Sequence, residues 1–232
     1  MNKRLLAIAK NVHNGKGLID VGTDHGYLPV YLAENAYTGN LFASDINEGP
    51  LQSAVRSARE AGLEDRIHFM LCDGLDACDG SRIDTVVIAG MGGDVISGIL
   101  DKADWLLSGQ HELILQPMTK SEVLRYWLIN NGFMIRDEQL VEDGGHIYQI
   151  LVSRAGKSPA YSEAELYLGK YELIRKEPLF PQKLDKLTDS FEKKLAGLNR
   201  SDKSVFEARR KLTAEIFSRL LELRKRYTED AI

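Results

Sequence analysis

Three aspartates stand at the carboxyl ends of short apolar segments that are typical of buried strands: Asp20, Asp45 and Asp73. The carboxyl ends of parallel strands form the ligand-binding edge of an open α/β sheet, so these carboxylates are expected to meet there. Asp20 suits a cationic amino group, Asp45 suits two ribose hydroxyls, and Asp73 suits an adenine amino group. The three together predict a site for a positively charged nucleoside, although a helix N-cap is the alternative for each acid alone.

The first aspartate opens the pattern D-x-G-x-x-x-G, in which Gly22 and Gly26 allow a ligand to approach the backbone of a tight turn. A pyrophosphate-binding turn more often reads G-x-G-x-x-G, and the charge of Asp20 would repel a pyrophosphate. The pattern therefore favours S-adenosyl-L-methionine over a nicotinamide dinucleotide. The residues predicted to bind this cofactor are Asp20, Gly22, Gly26, Asp45, Ile46, Asp73, Gly74 and Gly90.

Two further segments end at the same predicted edge. Gly90-Met-Gly-Gly93 contains three glycines, which allow close approach of cofactor and substrate; a turn before a helix capped by Asp94 is the equal alternative. Gln116 and Pro117 follow the fifth apolar segment. The Gln116 amide is a candidate for reading a base edge, or else it satisfies a backbone group at the strand end.

Alternating strand and helix patterns position these residues, which predicts an α/β fold with a parallel sheet and right-handed crossovers. Short, apolar and β-branched segments predict strands at residues 17–21, 41–45, 67–71, 85–88 and 112–115. The segments between them predict helices at residues 27–35, 49–61, 94–107 and 120–131.

The sheet is predicted to end in a hairpin. Residues 132–141 and 146–153 both have strand character, and the turn Glu142-Asp-Gly-Gly145 between them leaves no room for a helix. The sixth and seventh strands are therefore antiparallel. A seven-stranded Rossmann-like sheet with an antiparallel last strand is the layout of methyltransferases, and ordinary dinucleotide-binding dehydrogenases lack it.

Composition excludes several classes of protein. The chain has 232 residues, of which 44% are hydrophobic and 28% charged, so a packed core is expected and wholesale disorder is not. Two cysteines, Cys72 and Cys78, are too few for a disulfide scaffold and are expected to be reduced. The five histidines have no metal-ligand spacing, so no metal is expected. No apolar run approaches the length of a membrane helix, and we expect a cytoplasmic protein that makes no membrane contact.

The charge and the helical periodicity change near residue 156, which predicts domains at 1–155 and 156–232. Residues 1–155 carry a net charge of −8 and residues 156–232 a net charge of +4. One apolar repeat runs to Ile174 and is ended by Pro178 and Pro181. Two longer repeats, separated by a helix stop and N-cap at residues 199–202, predict an antiparallel coiled-coil hairpin.

Several longer motifs resemble those of the bacterial tRNA (adenine(22)-N1)-methyltransferase family, a class I S-adenosylmethionine-dependent group. The resemblance covers nearly the whole chain, and D-H-G-Y-L-P and A-G-M-G-G are its most specific parts. One departure is Met118, because the family often has Asn after Gln-Pro. The resembling segments are Lys3-Arg-Leu5, Asp20-Val-Gly-Thr-Asp-His-Gly-Tyr-Leu-Pro29, Asp73-Gly74, Ile88-Ala-Gly-Met-Gly-Gly93, Leu113-Ile-Leu-Gln-Pro117 and Gly144-Gly-His-Ile-Tyr148.

The resemblance implies methylation of adenine N1 in tRNA. Adenine N1 needs no deprotonation before it attacks, but the product is cationic, so a nearby carboxylate would stabilise it. Asp24 is the candidate, with His25 as a general base in second place; capping of the next helix is the alternative for Asp24. Tyr27 and Met91 are expected to offer apolar faces to a base removed from its stack.

An acidic N-terminal half does not bind phosphates broadly, so the tRNA backbone is expected to contact the basic C-terminal helices. Coiled-coil surface charge, or weak self-association through these helices, is the competing interpretation. The basic residues concerned are Arg209, Arg210, Lys211, Arg224, Lys225 and Arg226.

Other functions stay open at this point. The chain would also suit a methyltransferase acting on another RNA, a protein or a small molecule, although the basic tail argues against the latter two. A non-catalytic coiled-coil interaction protein with a degenerate methyltransferase fold has no need to keep all three aspartates. A nicotinamide-dependent reductase is a further alternative, and comparing the binding of NADH with that of S-adenosyl-L-methionine would distinguish it from a methyltransferase.

Overall fold

A computed structural model describes residues 1–200 and 204–230 of the chain. The chain divides into two compact units, Met1–Pro159 and Ala160–Ile232. The domain boundary predicted at residue 156 stays a prediction. Within the described ranges, no helix is both long enough and apolar enough to cross a membrane.

A seven-stranded sheet forms the centre of the first unit, with the order β3-β2-β1-β4-β5-β7-β6. The first five strands are parallel, and β7 lies antiparallel to both β5 and β6, so the predicted sheet with its reversed hairpin is confirmed. The strands are β1 (Leu18–Val21), β2 (Leu41–Asp45), β3 (Ile67–Leu71), β4 (Thr85–Gly92), β5 (Glu112–Thr119), β6 (Phe133–Asp143) and β7 (His146–Ala155).

Helices cover both faces of the central strands, so the apolar side chains of these strands are buried on both sides, as in other parallel sheets. Every residue of β1 and β2 is buried, and Val86, Val87 and Ile88 of β4 are completely so. The covering helices of this unit are α1 (Lys3–Ala9), α2 (Tyr27–Glu34), α3 (Glu48–Glu60), α4 (Gly93–Leu100) and α5 (Ser121–Asn130). This packing fixes the carboxyl ends of β1 to β5 at one edge.

One predicted helix is shorter than expected. Residues 94–107 were expected to form a single helix, but α4 ends at Leu100 and a separate 3₁₀ turn spans Asp104–Ser108. Between them Ala103 leaves the helical region, with φ −119° and ψ 68°. Asp94 does not cap α4 either, because Gly92 occupies the N-cap and the Asp94 carboxylate pairs with Lys120.

A completely buried ion pair connects α5 with β6. Both side chains are fully buried, and the Nη2 atom of Arg125 lies 2.6 Å from Oε2 of Glu138. The Nε atom of Arg125 donates to the same oxygen at 3.1 Å. Removing one member of such a pair would leave an uncompensated charge inside the protein.

The second unit is helical. It contains α6 (Glu163–Leu168), α7 (Tyr171–Ile174), α8 (Phe180–Asn199) and α9 (Glu207–Asp230). The single helix predicted through Ile174 is in fact two, because Gly169 adopts φ +110° between α6 and α7. Pro181 lies in the first turn of α8, where its missing N–H is tolerated, so it begins this helix rather than ending another.

The two long helices of this unit are antiparallel. Arg224 of α9 lies 3.1 Å from Asp185 near the start of α8, while Arg210 donates to the carbonyl of Leu198 near its end. Both helices bury apolar residues, and the ring of Phe180 in α8 packs against that of Tyr227 in α9 with centroids 5.0 Å apart. Within the stop and N-cap predicted at residues 199–202, α8 ends at Asn199 as expected, but residues 201 and 202 lie outside the described residues.

Candidate active site

A cavity of about 560 Å³ opens at the carboxyl edge of the parallel strands. This volume lies in the range of small-molecule and cofactor sites. It brings together ten of the fourteen site residues predicted in the first unit. Those that line it are Asp20, Gly22, Asp24, Tyr27, Asp45, Ile46, Asp73, Gly74, Gly90 and Met91. His25, Gly26, Gln116 and Pro117 are not part of the lining.

Asp20 is the most buried acid of the cavity. Only 7% of its surface is exposed, and its Oδ2 accepts a hydrogen bond from the Thr23 hydroxyl at 2.7 Å. Burial raises the pKa of Asp20 to about 7; the Thr23 hydrogen bond opposes this rise and the charge of Asp45 adds to it. A cation that enters the cavity would therefore stabilise the ionised form of the Asp20 carboxylate.

The other two acids have partners that hold them in place. Oδ1 of the buried Asp45 accepts from the backbone N–H of Asn47 at 2.8 Å. Oδ2 of Asp73 accepts from Nζ of Lys102 at 2.7 Å, in a pair where both side chains are about half exposed. Asp73 is therefore already compensated by a lysine, which sequence reasoning did not foresee.

The turn between β1 and α2 contains three residues in the left-handed region. Gly22 has φ +70°, Asp24 has φ +51° and Gly26 has φ +67°. Aspartate tolerates this region better than most residues, but it is an uncommon and costly conformation outside glycine. Gly26 occupies the N-cap of α2, so Asp24 does not cap this helix and its carboxylate lines the cavity instead.

Gly90 and Met91 shape the floor of the cavity. A β-carbon built on Gly90, where φ is +81°, would meet no atom within 4 Å, so the cavity surface is open at this point. The Met91 methyl group reaches across to Gly22 and lies 2.1 Å from where a β-carbon of that residue would stand. The pairing of β4 with β5 is irregular at Met91, which faces Pro117.

His25 lies behind Asp24 rather than in the cavity. Its Nε2 is 3.6 Å from Oδ2 of Asp24, and its ring stacks on Tyr27 with centroids 5.2 Å apart. Tyr27 is 55% exposed and lines the cavity, so part of its side chain is open to solvent. His25 is thus placed to act through its two neighbours.

Gln116 is fully buried under the strand ends. Its Nε2 donates to the carbonyl of Pro117 at 3.0 Å, and its Oε1 has no hydrogen-bond partner within the described part of the chain. Buried amide oxygens without partners are rare in proteins. Its strand neighbour Ala89 lines the cavity, so this acceptor lies next to the cavity wall but is not exposed in it.

Three residues at the start of the chain also line the cavity, and none of them was among the predicted site residues: Asn2, which is the N-cap of α1, and Arg4 and Leu5 of α1. The segment Lys3-Arg-Leu5 stood out only as part of a resemblance. No spacing links it to the strand ends, because α1 precedes the first strand.

The six basic residues predicted to contact RNA lie on α9, and they differ in their surroundings. Arg209 and Lys211 are exposed, and no ion pair of the described residues includes them. Arg210 is partly buried and hydrogen-bonded to the Leu198 carbonyl. The other three form ion pairs on the unit's own surface: Arg224 with Asp185, Lys225 with Glu229, and Arg226 with Glu172.

Comparisons with known proteins give consistent results. Residues 1–151 match a family described as a methyltransferase domain. The chain is 36% identical to tRNA (adenine(22)-N(1))-methyltransferase of Bacillus subtilis (strain 168) over 170 residues, which are 73% of this chain and 71% of that protein. The crystal structure of the B. subtilis m1A22 tRNA methyltransferase TrmK has a TM-score of 0.87 and 29% identity, with 97% of this chain and 98% of that chain covered. Streptococcus pneumoniae Sp1610 in complex with S-adenosyl-L-methionine has a TM-score of 0.82 and 32% identity, with 97% and 99% covered.

Proposed function

The chain belongs to the tRNA (adenine(22)-N(1))-methyltransferase family, and from this premise we propose that it methylates N1 of an adenine in tRNA with S-adenosyl-L-methionine as donor. The single observation that carries the proposal is the cavity in which Asp20 is buried with no basic partner among the described residues. A donor that carries a cationic amino group and a sulfonium supplies the missing positive charge.

The residues of the cavity fit this donor. Asp20 offers a buried carboxylate to the amino group, and Asp45 offers a second one to the ribose hydroxyls. Asp73 keeps its Oδ1 for the adenine amino group, while Lys102 holds Oδ2. The open surface at Gly90 accepts the body of the molecule. When bound, S-adenosyl-L-methionine supplies a methyl group whose transfer leaves a neutral thioether.

Asp24 is the residue we propose to act on the acceptor adenine. Asp24 lines the cavity, and its backbone adopts the left-handed conformation. Such costly conformations are kept where the surrounding structure fixes them, so the turn holds the Asp24 carboxylate at the cavity. As N1 gains its methyl group, the purine becomes cationic, and an anionic Asp24 stabilises that charge. Asp24 also accepts a proton from the exocyclic amine. His25, 3.6 Å away, positions the carboxylate rather than touching the base.

Three further residues of the first unit are proposed to hold the acceptor base. Tyr27 and Met91 both line the cavity and offer an aromatic and a thioether surface. The unpartnered Oε1 of Gln116 accepts a hydrogen bond from the exocyclic amine, and Pro117 orients this amide by accepting from its Nε2. Gln116 lies under the cavity surface, so this contact requires the strand end to open slightly.

The tRNA backbone is proposed to contact the second unit through Arg209 and Lys211, because their charges are exposed and uncompensated among the described residues. The paired residues Arg224, Lys225 and Arg226 contribute less, since each would first have to leave its carboxylate. Weak self-association through the same helices is the competing use. Exposed Leu212 and Leu221 on α9 support it, and sedimentation of the protein at several concentrations tests it.

The alternative functions are not favoured. The family assigns the methyl donor, so a nicotinamide-dependent reductase is excluded as the main activity. An interaction protein with a degenerate site does not explain a complete set of cavity carboxylates. The substrate also indicates the compartment, and we propose the cytoplasm, where tRNA is modified.

Incubation with S-adenosyl-L-methionine carrying a labelled methyl group and with unmodified tRNA tests the proposal. The expected result is label in 1-methyladenosine after digestion of the tRNA to nucleosides. A transcript in which the target adenine is replaced by guanine is the control and should stay unlabelled. Label in another nucleoside, or transfer only to small molecules, would contradict the proposal.

A further inference from the structure

Arg4 is the only lysine or arginine that lines the cavity within the described part of the chain. It comes from α1, which precedes the first strand, whereas the acids come from the ends of the parallel strands. The proposed function assigns all three cofactor carboxylates and gives no role to this cation.

The contacts of Arg4 leave its charge uncompensated. Its Nη1 donates to the thioether sulfur of Met118 at 2.8 Å, and its guanidinium carbon lies 5.2 Å above the ring centre of Tyr148. Its Nε is buried without a hydrogen-bond partner. No carboxylate of the described residues forms an ion pair with it. The guanidinium is half-buried and has only a sulfur atom and an aromatic face as partners. Because an unpaired charge is costly when it is removed from water, binding of an anion would stabilise Arg4.

The strand order separates this cation from the acids. Met118 lies on β5 and Tyr148 on β7, and both strands are on one side of β4. The three acids belong to β1, to β2 and to the segment after β3, all on the other side of β4. The cavity therefore has an acidic half, which suits the cationic donor, and an opposite side with one positive charge.

We propose that Arg4 binds a backbone phosphate of the tRNA next to the adenine that is methylated. This inference rests on the proposed function. The planar guanidinium matches a phosphate with two parallel hydrogen bonds, and the Tyr148 ring keeps the plane oriented. Phosphate contacts set the position and orientation of a nucleic acid without reading its sequence. Arg4 thereby fixes the target nucleotide at the side of the cavity opposite the donor.

The test compares Arg4→Met with Lys3→Ala. Arg4→Met removes the charge but keeps an unbranched side chain over Tyr148. Lys3→Ala is the matched control, because it removes one positive charge from an exposed residue of the same helix that does not line the cavity. The measurement is tRNA binding without cofactor at several salt concentrations. We expect Arg4→Met to weaken binding about tenfold, as loss of a charged hydrogen bond does. The slope of log affinity against log salt should fall by about 0.7 to 0.9, as for one lost phosphate contact.

Two additional measurements separate the possible outcomes. Arg4→Lys keeps the charge, so it should restore the salt slope but only part of the affinity. Calorimetry should give the same S-adenosyl-L-methionine affinity for Arg4→Met and wild type within about twofold. Loss of cofactor affinity with an unchanged salt slope would make the cofactor's carboxylate the anion and overturn the proposal. Equal tRNA binding by Arg4→Met and Lys3→Ala would overturn it as well.

Failure of this inference is distinguishable from failure of the proposed function. If wild-type protein methylates tRNA but Arg4→Met binds tRNA as wild type does, only the inference fails. If wild type transfers no methyl group to tRNA, the proposed function fails, whatever the binding data give. Equal melting temperatures of Arg4→Met and Lys3→Ala exclude a fold defect, and Arg4→Gln, which also removes the charge, repeats the test if Arg4→Met is unstable.

Discussion

In the described part of the chain, two charged residues of the cavity in the first unit lack the counter-charges that three surface arginines of the second unit have. In the first unit, Asp20 is buried without a basic partner among the described residues, and Arg4 has only neutral contacts. In the second unit, Arg226, Arg224 and Arg219 each lie within about 3 Å of a carboxylate on an exposed surface. An uncompensated charge inside a cavity is costly unless a ligand binds there, so it indicates function. A compensated charge on a helix surface is weak evidence for either stability or binding.

The largest expected effect is on catalysis in the first unit. Asp24→Asn keeps the tolerance for the left-handed backbone but removes the charge that we propose to stabilise the methylated purine. We expect kcat to fall by about 10² to 10⁴, the usual contribution of such a group. Single-turnover methylation measures the rate, and calorimetry with the donor serves as the control, since cofactor affinity should not change. A kcat within a few-fold of wild type would remove Asp24 from the mechanism.

A second comparison concerns ion pairs. Glu138→Gln removes the carboxylate from the buried ion pair with Arg125, and we expect a loss of about 3 to 5 kcal/mol in the free energy of unfolding. Glu172→Gln breaks the exposed pair with Arg226 and should leave the unfolding free energy unchanged within error. Urea denaturation of the two variants measures both. Equal losses of unfolding free energy in the two variants would mean that burial does not decide how much these ion pairs contribute to stability.

The pH dependence of cofactor binding tests the buried acid. Because the pKa of Asp20 is raised to about 7, the ligand-free protein holds a proton there below that pH and must release it to bind a cation. Affinity for S-adenosyl-L-methionine should therefore rise by up to about tenfold per unit between pH 5.5 and 7 and level off above. Calorimetry at several pH values measures this. Asp20→Asn should bind about tenfold more weakly at pH 8, as loss of a charged hydrogen bond does, and show a flat profile.

The same raised pKa has a consequence for stability. Between about pH 4 and pH 7 the unfolded chain has released the proton of Asp20 while the folded protein retains it. The free energy of unfolding of the ligand-free protein should thus decrease as pH rises through this window. Asp20→Asn should lack this contribution, and thermal unfolding at pH 5 and pH 7.5 compares the two proteins. A stability that rises equally in both would contradict the raised pKa.

The smallest expected effect concerns the basic residues of α9. The double variant Arg209→Ala/Lys211→Ala removes two uncompensated charges, and we expect tRNA affinity to fall several-fold with a salt slope lower by about 1.5. The matched control is Arg224→Ala/Arg226→Ala, which removes two charges that already have carboxylate partners. Filter binding at different salt concentrations measures both. If the control variant loses more tRNA affinity than the double variant, an ion pair with a carboxylate does not prevent a basic residue from binding the RNA.

The acids of the cavity could be predicted because two regularities of the chain combine. Apolar segments of strand length locate the strands, and a parallel sheet brings their carboxyl ends to one edge, so Asp20 and Asp45 meet without any knowledge of long-range contacts. Arg4 could not be found in this way, because a helix that precedes the sheet has no pattern that shows where it packs. Lys102, the partner of Asp73, was missed because the segment after α4 has no sequence pattern that shows which strand end it meets. The end of α4 at Leu100 depends on the backbone at Ala103, which helical periodicity does not report.

The contact between Gly22 and Met91 has a consequence for how this site can change. The methionine methyl group fills the space that any side chain at position 22 would need. The two positions, 69 residues apart, therefore share one volume, and a methyl group gained at the first requires a shorter residue at the second. Such a paired exchange would still carry the strain of the left-handed backbone at Gly22. Sequence change in the turn after β1 is thus restricted by a residue of the neighbouring strand β4, and related chains that carry a side chain at position 22 should have a shorter residue at position 91.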